Sequence, residues 1–215
     1  MVSFRRIWRF LWFEDSPASW IVSIVLAFLI VKFIIYPVIG LVLGTGFPIV
    51  AVVSESMQHK ADCSGDCDTY RICGEGVDQG GFYSLNEYWS VCGEWYENRE
   101  ITRGEFMEFP FKNGFNKGDI MILIGKEAKD IKVGDVVVFD GNLNYPIIHR
   151  AVAKWQKEET YYFETKGDNN GMPSGSESEI HEDKLLGKAV IRLPLLGWVK
   201  IWFSSAAEFI IGGIK

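Results

Sequence analysis

"DVVVFDGNLNYPIIHRAVAKW" (Asp135–Trp155) sets two β-branched runs around a turn-rich hexapeptide. Asp140-Gly141-Asn142 is hairpin chemistry, because Gly and Asn tolerate the left-handed backbone that tight hairpins need. The two runs therefore predict an antiparallel pair. With side chains alternating every second residue, His149 stands mid-strand on the same side as Ile147 and Ala151. Three further runs lie around this pair: "DIMILIG" from Asp119, "TYYFETKG" from Thr160 and "LLGKAVIRL" from Leu185. Five short strands separated by turn residues predict a mainly β domain.

Outside that domain the chain turns apolar. Trp20 to Leu43 carries one charge, Lys32, over about 24 residues, where a bilayer span needs about 20. Arg5, Arg6 and Arg9 precede it, so the positive-inside rule predicts a cytoplasmic N-terminus and an extracytoplasmic chain after Gly44. The run starts too late and is too long for a cleavable signal peptide. Pro37 and Gly40 fall in its last third, where a kink is tolerable if freed backbone groups find partners. A second apolar stretch, "LPLLGWVKIWFSSAAEFIIGGIK" from Leu193, carries Lys200 and Glu208. Interfacial packing and a second span both fit it, giving a single-pass or two-pass protein of the cell membrane.

Between Gln58 and Asn116 lie 11 acidic and 5 basic residues among many aromatics. Ser84 with Glu87 and Thr102 with Glu105 are capping-box pairs, the first opening an amphipathic helix through Tyr88, Trp89, Cys92 and Tyr96. The segment is expected to be a small helical, cysteine-containing insertion, either a lid or rim beside a cleft or a solvated decoration. It holds all four cysteines, Cys63, Cys67, Cys73 and Cys92. Two disulfides, with three possible pairings, or a metal site fit such a cluster, and disulfides are the better fit outside the cytoplasm. The division expected for the 215 residues is a cytoplasmic N-terminus (1–19), a transmembrane helix (20–43) and a β domain (44–57 and 117–193). The insertion (58–116) interrupts that domain, and a membrane-associated segment (194–215) closes the chain. A net charge of −6 excludes the nucleic-acid-binding class, which needs a basic stripe.

The residues with chemistry are few. Histidines occur at 59, 149 and 181, and a neutral imidazole is the natural base for a serine nucleophile near neutral pH. "VVSESM" (Val52–Met57), then "KGDIMIL", "VGDVVVF", "PIIHRAV" and "TKGDNN", resembles the type I signal peptidases, specifically their archaeal and endoplasmic-reticulum branch. That family shares a Ser-x-Ser-Met box, Gly-Asp strand starts, a His-Arg box and a Gly-Asp-Asn-Asn box in this order. The resemblance covers about Val50 to Leu196 apart from the insertion. It implies a membrane-bound serine endopeptidase that removes signal peptides from exported preproteins, with the lipid bilayer as its setting and no cofactor or catalytic metal.

Carried over by position, Ser56 matches the nucleophile and Ser54 the upstream serine that helps form the oxyanion hole. His149 matches the histidine that serves as base, so the implied mechanism is Ser-His acyl transfer. Asp168 is the preferred candidate to orient His149. The endoplasmic-reticulum branch has a second aspartate six residues later, where this chain has Ser174. Asp168 alone, a nearby acid such as Glu177 or Glu179, or no acid at all are the three choices. His59 and His181 are expected at the surface. The competing reading is a catalytically silent, membrane-anchored β module that binds a partner through the insertion.

Overall fold

The computed structural model describes residues 8–10, 13–64, 69–142 and 145–196. The chain divides at Gly46/Phe47 into two compact units.

In the first unit, helix α1 spans Pro17–Leu43. It begins three residues before the apolar run because Ser16 caps it, accepting the Ser19 N–H at 3.2 Å, and Pro17 fills a first-turn position. Residues Val31–Ile35 form a π-helical turn in which the Tyr36 N–H donates to the Val31 carbonyl. Pro37 explains its place. Proline has no N–H and its ring crowds the carbonyl four residues back, so the wider turn just before it relieves that clash. Gly44, at φ 67°, ends the helix in the left-handed conformation that glycine adopts without penalty. At 27 residues the helix is about 40 Å long, more than a hydrocarbon core requires. Among the described residues it is the one helix long and apolar enough to cross a membrane.

The second unit is built on a seven-stranded antiparallel sheet. Its strands are β1 (Ile49–Ala51), β6 (Ile120–Ile124), β7 (Val136–Phe139), β8 (Ile147–Lys157), β9 (Thr160–Lys166), β10 (Ile180–His181) and β11 (Leu185–Leu193). They lie in the order β1-β6-β11-β7-β8-β9-β10. All five runs read as strands form, and β7 and β8 pair as the expected hairpin, with Val137 opposite His149 and Val136 opposite Arg150. Asn142 takes φ 60° in its turn. Every residue of β7 is buried. Val136 and Val138 enter one core with Met57, Phe115 and Ile148, while Val137 and Phe139 enter another with Ile131, Phe163 and Ile180. Two covered faces explain why β7 is apolar without alternation, at about 1.5–3 kcal/mol per buried side chain.

The two Gly-Asp strand starts are one repeated device. Gly118 and Gly134 sit at φ 89° and 95°, backbone that disfavours other residues. The aspartate that follows closes each turn: Asp119 accepts the Asn116 N–H at 2.7 Å and Asp135 the Lys132 N–H at 2.9 Å. Arg192 and Lys188 of β11 pair with the same two carboxylates and tie both turns to the sheet.

The segment between Met57 and Phe115 leaves and returns through one neck, where the Phe115 N–H donates to the Met57 carbonyl at 3.0 Å. The expected helices form in the second half of this insertion, and its first half adds a four-stranded sheet. The strands β2 (Lys60–Ser64), β3 (Thr69–Ile72), β4 (Glu75–Val77) and β5 (Gly81–Phe82) are ordered β4-β3-β2-β5. Helices α2 (Leu85–Glu97) and α3 (Arg103–Glu108) follow, each opened by the expected capping box. Tyr88, Trp89, Cys92, Tyr96 and Phe106 form the centre of this part, and Val152 of β8 joins them. Cys73 and Cys92 form a disulfide with Cα atoms 6.0 Å apart, and Cys63 is also disulfide-bonded. Cys67 and the C-terminal stretch from 197 onward, including Lys200 and Glu208, lie outside the described residues.

Candidate active site

Ser54 and Ser56 stand outside the strands of the sheet. They lie in the bend and turn that follow β1. The turn is closed by the Gln58 N–H on the Glu55 carbonyl at 3.0 Å and anchored by Met57, 1% exposed in the sheet core. That is the structural use of the methionine in "SESM". Its sulfur also accepts the Asp168 N–H at 3.4 Å, fastening the serine turn to the "KGDNN" loop. The loop answers with the Asn169 N–H on the Ser56 carbonyl at 2.7 Å.

Across from the turn, β8 presents His149, 7% exposed. Its Nε2 lies 2.8 Å from Ser56 Oγ, and its Nδ1 meets Glu177 Oε1. Ser54 Oγ lies 3.0 Å from Ser56 Oγ. Donor and acceptor accounting gives one consistent chain: Ser54 O–H to Ser56 Oγ, Ser56 O–H to His149 Nε2, His149 Nδ1–H to Glu177. The three residues matched to Ser54, Ser56 and His149 are thus brought together.

Glu177 is 2% exposed. Its second oxygen accepts from the Ser174 N–H at 2.9 Å and from the Ser174 hydroxyl at 2.8 Å. The Thr165 hydroxyl adds a contact of 3.3 Å to the first. Burial pushes the carboxyl upward, but the bond from His149 and those from Ser174 more than offset it and hold Glu177 below the usual carboxylate range. Ser174, at the position where the resemblance led one to expect an aspartate, therefore braces a glutamate three residues later. Glu179 instead pairs with Lys157 at the surface.

Asp168, expected to orient His149, is placed against Arg150 instead. Arg150 Nε donates to Oδ1 at 2.9 Å and Nη2 to Oδ2 at 2.7 Å, with both side chains 0% exposed. Arg150 fills its remaining donors with the carbonyls of Pro110, Phe111 and Gly134. Asp168 also takes the Tyr96 hydroxyl at 3.3 Å and meets His59 Nε2 at 3.2 Å. Desolvation raises its carboxyl, yet Arg150 and His59 hold it far below the ordinary value. The carboxylate is thus a buried structural hub.

His59 corrects a second expectation. It is 3% exposed rather than at the surface, stacked on Tyr88 with ring centroids 3.6 Å apart. His181 is partly exposed and pairs with Asp183. Gly167 carries a constraint that sequence reasoning missed. A Cβ there would lie 2.7 Å from the Ser56 carbonyl and 2.9 Å from His149 Nε2, so only glycine lets the loop run beneath the serine–histidine contact. Among the described residues no group of three or more His, Cys, Asp or Glu side chains is arranged to hold a metal ion.

No family model matches the chain. Among curated proteins it is similar to the signal peptidase complex catalytic subunit SEC11 of Scheffersomyces stipitis, 31% identical over 105 residues, covering 46% of this chain and 63% of that one. The Candida tropicalis SEC11 subunit is 34% identical over 106 residues, with the same coverage. Human SEC11C is 30% identical over 103 residues, 44% of this chain and 53% of the relative. The chain thus spans about three fifths of the length of the fungal relatives, and all three relatives are eukaryotic. The chain is thus similar, at modest identity over about half its length, to proteins that are catalytic subunits of signal peptidase complexes.

Proposed function

We propose that the protein is a membrane-anchored serine endopeptidase that cleaves signal peptides from exported preproteins, with Ser56 as nucleophile, His149 as general base and Glu177 as the orienting acid. One observation carries the reading, the continuous hydroxyl–imidazole–carboxylate chain from Ser56 through His149 to Glu177. Glu177 takes the role first assigned to Asp168. With Glu177 in that role, Ser174 at the position of the expected aspartate gives no support to the silent binding module.

The chemistry follows from the geometry. His149 Nε2 takes the Ser56 proton as Oγ attacks the scissile carbonyl, and Glu177 stabilises the imidazolium through Nδ1–H. The proton then goes to the leaving amine, an acyl-enzyme remains, and water repeats the sequence to release the acid. Once Oγ has bonded to carbon, the Ser54 hydroxyl turns to the developing oxyanion beside the Ser56 N–H. One such donor is typically worth about 3 kcal/mol in the transition state. Helix α1 anchors the β domain on the extracytoplasmic side, where an emerging preprotein presents its cleavage site. The relatives' names describe subunits of a complex, so further subunits are part of this proposal.

The test is cleavage of a preprotein by the purified chain in lipid vesicles, comparing wild type with Ser56→Ala and His149→Ala. Both variants are expected to lose at least ~10,000-fold in kcat. Wild-type rates in either variant would overturn the assignment.

A further inference from the structure

The insertion is joined to the loop that holds the nucleophile's turn, and one helix face makes the joint. Tyr88, Cys92 and Tyr96 follow at intervals of four along α2, all 2% exposed or less, and so share one side of the helix. Tyr88 donates its hydroxyl to the Asp168 carbonyl at 2.8 Å, and Tyr96 donates to Asp168 Oδ1 at 3.3 Å. Cys92 is bonded to Cys73, whose N–H donates to Asn169 Oδ1 at 3.0 Å. Asn169 Nδ2 returns a bond to the Lys60 carbonyl at 3.1 Å. Beside this contact Gly74 meets Gly171 so closely that a Cβ on Gly74 would lie 2.7 Å from the Gly171 Cα.

Residues 168, 169 and 171 are thus gripped by the insertion from one side. On the other side the same loop holds the site, through the Asn169 N–H on the Ser56 carbonyl and through Gly167 beneath His149. Asn169 joins the two directly: its side chain belongs to the insertion's hydrogen bonds and its backbone N–H to the serine turn.

We propose that the insertion is a positioning clamp, in which Tyr88, Tyr96 and the side chain of Asn169 set the distance between Ser56 and His149 by fixing the 167–171 loop. The proposal rests on the peptidase reading above and adds the residues that hold its geometry. None of the three touches substrate; they act through the loop. It follows that the insertion is neither a lid nor a decoration, and that the Cys73–Cys92 bond secures the clamp by tying the β3–β4 turn to α2.

The experiment uses the full chain in lipid, with Tyr88→Phe/Tyr96→Phe, Asn169→Ala and the triple variant. Tyr→Phe keeps the rings and their packing and removes only the hydroxyls. Active sites are counted with a peptidic serine-acylating reagent, and kcat is expressed per labelled site, so that misfolded protein does not enter the rate. The clamp predicts that kcat per site falls by about tenfold in the tyrosine double variant and in Asn169→Ala at unchanged KM, well within the ~100-fold cost of a 1 Å misplacement. The triple variant should lose little more, because the substitutions act on one loop. Hydrogen exchange at the Asn169 amide should speed up at least about tenfold in the tyrosine variant. A purely structural role would lower the labelled fraction and leave kcat per site at the wild-type value, which would overturn the clamp and leave the peptidase reading standing. Fully additive losses in the triple variant would also overturn it. Absence of labelling at Ser56 in wild type would overturn the peptidase reading, and the clamp's part in catalysis with it.

Discussion

Replacing Asp168 with asparagine tests whether this carboxylate braces the fold or takes part in catalysis. In the native protein two bonds of 2.9 and 2.7 Å join it to Arg150, with neither side chain exposed. The replacement amide keeps one acceptor for the guanidinium and turns its NH2 toward either Arg150 Nη2 and His59 or Arg150 Nε and Tyr96. Arg150 stays charged, since Asp168 is not needed to keep a guanidinium protonated. The variant therefore buries an uncompensated cation, a change that typically costs about 3–5 kcal/mol. The three carbonyls that still accept from Arg150 place the loss near the lower end. Against a typical total of about 5–15 kcal/mol the loss is large, and urea unfolding followed by tryptophan fluorescence will measure it. The pH dependence gives a second reading. Because Asp168 is held below its unfolded value, its stabilisation is complete above about pH 4 and is lost as pH falls through its folded pKa. Wild type should thus lose its advantage over Asp168→Asn in strong acid. A loss under ~1 kcal/mol at neutral pH, well below the cost of breaking a buried pair, would refute the hub. An unchanged stability with kcat reduced as far as in a Glu177 variant would return Asp168 to the catalytic relay.

Three further outcomes are expected. Ser54→Ala should lower kcat by ~100- to 1,000-fold at nearly constant KM, the cost of one oxyanion donor, and Ser54→Thr should restore much of it by returning the hydroxyl. Gly167→Ala should separate Ser56 from His149, because the new methyl meets the Ser56 carbonyl at 2.7 Å. A kcat loss of about 100-fold, measured on folded protein, is expected, and wild-type activity would show that the loop yields freely. Lys166 is 1% exposed, and its ammonium is pushed down to about 8 by burial, which Asp168 only partly opposes. Below pH 8 the folded state must carry a buried charge that the unfolded chain carries at no such cost. Stability should therefore rise from about pH 8 toward 10, by up to roughly 3 kcal/mol, and Lys166→Met should flatten that rise in pH-dependent urea unfolding.

What the sequence made legible is local. The β7–β8 hairpin announced itself by β-branched runs around Asp140-Gly141-Asn142, and α2 and α3 by Ser84/Glu87 and Thr102/Glu105, because each signal acts over a few residues. Strands β2 to β5 were hidden because they are only two to five residues long, and among them β3 (TYRI) alone is dense in strand-forming residues. Their order comes instead from packing under α2. The serine and histidine were found through their boxes, but the acid was not. Glu177 and Asp168 lie 28 and 19 positions beyond His149, and no spacing rule says which carboxylate a strand residue will meet. The bulge between Ala151 and Ala153 and the turn that Ser174 braces decide that in three dimensions. His59 shows the same limit: three residues after Ser56 it read as a surface histidine, and the ring of Tyr88 together with the Asp168 carboxylate explains its burial.

The most direct test of the central claim is the rate at which a peptidic acylating reagent labels Ser56, followed by mass spectrometry of the modified peptide in wild type, His149→Ala and Glu177→Gln. The glutamine of the last variant can offer His149 its amide nitrogen or its oxygen but no negative charge. The imidazolium is then unsupported and labelling should fall by ~100- to 10,000-fold with the fold intact, and further still in His149→Ala. Labelling of Ser56 at the wild-type rate in Glu177→Gln, or of another residue in wild type, would contradict a Ser56–His149–Glu177 relay.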